Sequence, residues 1–349
     1  MPDLNELYEK FQARLEDFWG RRLNAPHHER TIHIFGQPVL FDGNDPLALD
    51  SAGLAERMYS QAPVRATPPW KVHLTVHNPD RDPGQPPERL VDLIHYAGTD
   101  DWLSIDLDAW GNCFVDLPRA EAHAVLSSSL ARQPEQVCLV LLNTILTNLA
   151  TRHGFSMLHA SALVQDDRIL LLMAPHGTGK STTSLRLLSN GYKLLSDSQI
   201  YLGEREDELW MGGFPIGRVK LRGDILPLFP ELAGLSRPEP VRDETKHMVE
   251  LERVDPALAV RDMIPVRKVK FCLLTRGTQV RSEIQPLTAD KLWPEIMVNS
   301  LHYGRPEVWQ QNLRRIALLL EKAELHHLRI GTSEEDILQT VNQMWTSQP

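Results

Sequence analysis

The spacing of apolar residues changes along the chain, and each change predicts a different element. Residues 1–19, MPDLNELYEKFQARLEDFW, carry apolar side chains at helical spacing among mixed charges, which predicts an amphipathic helix. From residue 31 the period shortens to two: TIHIFGQPVLF (31–41) and KVHLTVH (71–77) alternate as half-buried strands do. VDLIHYA (91–97), WLSIDL (102–107) and NCFVDL (112–117) are further strand-like runs, separated by NPDRDPGQPPE (78–88) and a turn at Gly98–Asp101. Residues 28–118 therefore predict a small, mostly antiparallel sheet.

Helices are predicted over 119–131 and 134–153, the second apolar nearly all round and so packed on several sides. Beyond them the strands change kind. SMLHASALV (156–164), RILLLMA (168–174), KLLSD (193–197) and QIYLG (199–203) are continuously apolar, and the helical segment KSTTSLRLLSN lies between the second and third. A strand pair at 266–275 and 280–285, then helices at about 288–301, 306–324 and 333–346, completes an α/β core. Residues 223–247, rich in Pro, Gly and charge, predict a mobile or ligand-ordered loop. The chain thus divides into an N-terminal α+β domain, 1–130, and an α/β domain, 131–349.

Composition narrows the classes. A length of 349 residues suits roughly two domains of about 100–150 residues each. At 42% hydrophobic and 24% charged, the chain sits near the globular averages of about 45–50% and about 25%. Its net charge of −9 opposes a general attraction to nucleic acid or anionic lipid. Cys113, Cys138 and Cys272 form no CxxC pair, which predicts neither a disulfide framework nor a zinc ribbon and suits a reducing cytoplasm. The N-terminus lacks the basic start and unbroken apolar stretch of a signal peptide. The most apolar run, 137–150, is shorter than the ~20 residues a membrane span takes.

The segment with the most chemistry is ILLLMAPHGTGKSTTSLRLLSNG, residues 169–191. Its loop is Ala174, Pro175, His176, Gly177, Thr178, Gly179, Lys180 and Ser181, followed by Thr182. Strand, glycine loop and helix together make a phosphate cradle: small residues let backbone N–H groups curl around the anion, and the helix points its positive end at it. Lys180 would reach the β- and γ-phosphates, and Ser181 would ligate the Mg²⁺ that bridges them. The strict pattern GxxxxGK[ST] has glycine where this chain has Ala174. A glycine turn with a solvated Lys180 is the bland alternative. Sixteen residues past Ser181, Asp197 ends the next apolar strand, where a carboxylate holds metal or takes a proton, or else caps a turn. His159, in an apolar strand, reads from composition as a packed core residue.

The stretch 158–198, LHASALVQDDRILLLMAPHGTGKSTTSLRLLSNGYKLLSDS, resembles the nucleotide-binding segment of the HPr kinase/phosphorylase C-terminal domain and of the ATP-dependent phosphoenolpyruvate carboxykinases that share its fold. The resemblance covers about forty residues closely and 150–345 loosely. It implies an α/β fold with a P-loop core, and it places His159 near the transferred phosphate or metal. It matches Asp197 to the first aspartate of an acidic pair and leaves Ser198 at the second. It also implies that basic residues of GGFPIGRVKLRG (212–223), among them Arg218, Lys220 and Arg222, face the phosphates, with Lys246 near the nucleotide. Neither the oxaloacetate site of the carboxykinases nor the regulatory domain of the HPr kinases has an equivalent in residues 1–130.

The resulting expectation is an ATP- and Mg²⁺-dependent kinase with Lys180, His159 and Asp197 catalytic and Ser181 and Asp197 on the metal. Its acceptor would be the hydroxyl of a protein or peptide serine or of a small alcohol, and residues 1–130 would recognise it or mediate oligomerisation. The alternative is a nucleotide-binding regulator or assembly protein whose turnover the Asp-to-Ser departure has weakened. The DxxG and NKxD signatures of common GTPases do not appear at a plausible place relative to the loop.

Overall fold

The computed structural model describes residues 27–77, 82–175, 177–232, 234–241, 244–300 and 305–346, so the helix predicted over 1–19 and His176 lie outside the described residues. Two compact units emerge. Of the described residues, one unit holds 27–32 with Gln37–Ala55 and those of Ala66–Leu146; the other holds His33–Gly36, Glu56–Arg65 and those from Thr147 on. The break falls after Leu146, inside the helical stretch 134–152, whereas the sequence pattern suggests a division at 130/131.

The first unit is built on seven strands: β1 (His28–Ile34), β2 (Gln37–Gly43), β3 (Trp70–Val76), β4 (His95–Gly98), β5 (Trp102–Asp106), β6 (Gly111–Asp116) and β7 (Glu121–Leu126), ordered β1-β2-β3-β7-β6-β5-β4. The sheet is mixed. β2/β3 and β3/β7 run parallel, and β7/β6, β6/β5 and β5/β4 antiparallel. The helix Pro46–Met58, absent from the sequence reading, lies in the crossover that parallel neighbours require. The helix expected over 119–131 is instead β7, with only Ser128–Ala131 helical. Ala122, Ala124 and Leu126 are buried while Glu121, His123 and Val125 are half-buried, a period of two. Alanine favours helix in isolation, but a place between β3 and β6 gives this segment ladder partners on both sides.

The second unit carries three sheets. The largest has six strands in the order β11-β9-β10-β18-β20-β19: β9 (Ser161–Gln165), β10 (Arg168–Met173), β11 (Lys193–Ser196), β18 (Lys268–Arg276), β19 (Glu283–Pro286) and β20 (Ala323–Ile330). A four-stranded sheet contains β8 (Phe155–His159), β12 (Gln199–Arg205), β13 (Glu208–Phe214) and β17 (Ile264–Pro265), and a three-stranded one contains β14 (Arg218–Arg222), β15 (Ser236–Val241) and β16 (Glu244–Glu250). β10 shows why these strands are apolar throughout. Leu170 and Leu172 pack with Leu185, Leu188, Ile337 and Val341 on one side; Ile169, Leu171 and Met173 pack with Leu292, Ile296, Ile316 and Leu319 on the other. Helices cover both faces.

Three expectations are corrected here. The run 156–164 is two strands, β8 and β9, in different sheets. β18 and β19 are not partners, because β20 stands between them, parallel to β18 and antiparallel to β19. Residues 223–247 are not a loop: they hold two 3₁₀ turns, Leu226–Leu228 and Pro230–Leu232, then β15. β15 keeps Pro238 and Pro240 because it is an edge strand whose outer side has no ladder to feed. All three cysteines are free and buried. Among the described residues no helix is long and apolar enough to cross a membrane.

Candidate functional site

β10 ends at Met173, and the helix Lys180–Leu188 begins seven residues later. Gly177 and Gly179 make that turn possible, with φ of +80° and +113°, values L side chains rarely adopt. Thr178 closes it by donating from both N and Oγ1 to Pro175 O, at 3.3 and 2.8 Å. The helix starts at Gly179 with no side-chain cap, so its first-turn N–H groups lack a side-chain acceptor. Ala174 is a different case: it keeps an ordinary φ, is buried and packs in the core with Leu172 and Leu185. Glycine is not required there.

Charged groups converge at this turn. Lys180 Nζ donates to His159 Nε2 at 3.1 Å, an arrangement that leaves the imidazole proton on Nδ1. His159 ends β8 and is exposed, rather than packed in the core as its composition suggests. Burial lowers the Lys180 pKa, the Asp197 carboxylate pulls it back up, and the nearby charge of Lys246 lowers it again. Asp197 follows β11 and is only 8% exposed. Its Oδ1 accepts from Ser161 Oγ at 2.5 Å and from Ser184 Oγ at 3.4 Å, and Ser181 bonds it too. Burial raises its pKa; Lys180 and the three hydroxyls work in the opposite direction.

The site therefore brings together Lys180 and Ser181 from one helix, His159 from β8, Asp197 from the end of β11 and Lys246 from β16. Thr182 is half-buried in the first helical turn and Pro175 is exposed in the loop. The basic stripe of β14 has other company. Arg218 donates to Glu250 at 3.1 Å, Lys220 to Glu239 at 2.5 Å and Arg222 to Asp224 at 3.0 Å, so each cation already faces a carboxylate. Lys246 itself pairs with Glu244 at 3.2 Å. Ser161 and Ser184 were missed by the sequence reading. Ser184 stands one turn after Lys180 and Ser181 on the same helix face, which was an available signal; Ser161, two residues past His159 and across a strand break, had none.

Ser181 and Asp197 are adjacent hard oxygen donors, one hydroxyl and one carboxylate. That set fits Mg²⁺, which binds through one or two carboxylates and completes its shell with water and phosphate oxygens. The left-handed glycines, the uncapped helix start and the Lys180 ammonium fit a phosphate chain beside it.

No protein-family model and no curated protein sequence matches the chain. Among solved structures, the Hpr(Ser) kinase/phosphatase from Coxiella burnetii is a weak neighbour. It is 16% identical with a TM-score of 0.31, over 54% of this chain and 96% of its own length.

Proposed function

We propose that the second unit binds a nucleoside triphosphate, most simply ATP, in a P-loop of the HPr-kinase kind and transfers its γ-phosphate to a hydroxyl. The observation that carries this reading is the meeting of Lys180, Ser181 and a buried Asp197 at the glycine turn. The turn amides and Lys180 bind the phosphates and take up the charge that spreads over them during transfer. Ser181, with Asp197 through water, would hold Mg²⁺, which would supply positive charge against the phosphates. Asp197, with its proton affinity raised by burial, accepts the acceptor's O–H proton as that oxygen bonds to the γ-phosphorus and the bond to the leaving diphosphate breaks. His159 holds Lys180 in place through Nε2.

The acceptor class is a serine of a protein or ribosomally made peptide, or a small alcohol, and the first unit supplies its recognition. A second reading, a nucleotide-binding regulator without turnover, draws on Ser198, whose hydroxyl cannot carry a second carboxylate's charge. Incubation of the full chain with labelled ATP, Mg²⁺ and candidate acceptors separates the two. Kinase action gives a labelled acceptor, and Asp197→Asn lowers the rate by about 10²–10⁴, the usual worth of a general base. ATP binding without labelling of any acceptor supports the regulator. Labelling at the wild-type rate by Asp197→Asn removes Asp197 as base.

A further inference from the structure

The first unit carries a cluster that the phosphate-transfer reading does not use. Parallel pairing of β2, β3 and β7 aligns Asp42 with His73 and His73 with His123 across three strands. Glu121, two residues before His123 on β7, projects from the same face. The imidazoles of His73 and His123 stack with centroids 4.4 Å apart and planes at 20°. Glu121 Oε1 lies between them, 3.0 Å from His73 Nε2 and 3.3 Å from His123 Nε2.

From this geometry we infer that His73, His123 and Glu121 form a site for a divalent transition metal of the zinc type. Their three ligand atoms lie within 4.8 Å of one another. Ligands held tetrahedrally at about 2.0–2.1 Å from zinc lie roughly 3.3–3.4 Å apart; the Glu121–His123 separation of 3.3 Å fits this, and the Glu121–His73 separation of 3.0 Å has only to open slightly. Two imidazoles and one carboxylate also leave a fourth position open for water or for a group from another molecule.

The surroundings fit a metal site as well. Asp42 bonds His73 Nδ1 at 2.7 Å, which turns Nε2 toward Glu121 and His123; a carboxylate on the far nitrogen is the usual outer support of a metal-bound imidazole. Two neutral imidazoles, Glu121 and Asp42 bring two negative charges, which a divalent cation balances. The side chains are 10–29% exposed, screened yet within reach of an ion from solution. Asp42 and Glu121 face the two ring nitrogens of His73 and can each accept a hydrogen bond from it when it is protonated. A proton bridging the two carboxylates through His73 is therefore the competitor to the metal.

Chelator-treated full-length protein, titrated with Zn²⁺ in a calorimeter and with Co²⁺ in a spectrophotometer, distinguishes the two. The site predicts one equivalent bound per chain, a Co²⁺ visible spectrum of tetrahedral intensity and a higher melting temperature with Zn²⁺. His123→Asn and Glu121→Gln should each weaken Zn²⁺ by at least tenfold. Asp42→Asn should weaken it about 10–100-fold while leaving the Co²⁺ band shape, as an outer partner does. Asp197→Asn should leave the equivalent in place, which separates this site from the phosphate site. Circular dichroism confirms that each variant is folded; if Glu121→Gln unfolds, His123→Asn carries the test. Absence of Zn²⁺ binding at micromolar concentration, or binding that a folded His123→Asn or Glu121→Gln leaves intact, overturns the assignment and leaves the cluster a proton-bridged ion network.

Discussion

Asp197 sits where burial raises its proton affinity, and Lys180 with the hydroxyls of Ser161, Ser181 and Ser184 decides how much negative charge it keeps. The Asp197 contact to Ser161, at 2.5 Å, is shorter than that to Ser184, at 3.4 Å, and Ser184 also has Lys180 O at 3.1 Å to donate to. Ser161→Ala removes a hydrogen bond to a buried charge. It is expected to cost about 1.5–3 kcal/mol of stability, read as a lower denaturant midpoint with an unchanged slope. An unchanged midpoint would show that Ser161 does not support Asp197. At this scale the sequence is readable where a motif fixes spacing: Lys180, Ser181 and Asp197 meet as their positions imply. It is silent where partners come from distant strands. Arg218, Lys220 and Arg222 alternate legibly, but nothing local announces that Glu250 and Glu239 engage the first two; only Asp224, two residues past Arg222, is near in sequence.

The turn between β10 and the helix Lys180–Leu188 is the element on which the proposed binding depends, and its backbone is held in a left-handed form at two points. A Cβ added at Gly177 meets nothing within 4 Å, so Gly177→Ala tests conformation without a clash. A left-handed L residue costs about 1–2 kcal/mol. The variant is expected to stay folded, to melt a few degrees lower and to bind nucleotide more weakly, as differential scanning fluorimetry and calorimetry would record. Stability and affinity equal to wild type would contradict the left-handed turn. β3 with its period of two, β10 as an unbroken apolar run and the C-terminal helix Glu334–Thr346 with its helical spacing were readable in advance. β7 and β15 were not: in β7 an alanine-rich composition outweighed a period of two that neighbouring strands make decisive, and in β15 two prolines read as loop. β20 was hidden by running on from the end of the helix Pro306–Lys322.

On the scale of the whole molecule, the second unit draws on chain that precedes it by more than eighty residues. Phe35 packs on Phe155 at 5.0 Å and on Tyr201 at 4.7 Å, and Ser60 both donates to Gly213 O through its N and accepts from Gly213 N through Oγ. A fragment beginning at 131 lacks these residues, although composition alone marks that position as a domain start. It is expected to be poorly folded, with a weak, non-cooperative thermal transition in circular dichroism. A cooperative transition near that of the full chain would show that 33–36 and 56–65 are dispensable. The central claim is that the turn at Gly177–Lys180 binds a magnesium nucleotide, and its most direct measurement is calorimetric titration of the full chain with Mg·ATP, beside the same titration of Lys180→Ala. The account predicts one site per chain for the wild-type protein, a melting temperature raised in proportion to about 2.7 kcal/mol at a hundredfold excess over Kd, and a large loss of affinity in the variant. No heat at millimolar Mg·ATP, or equal affinity in Lys180→Ala, would contradict it.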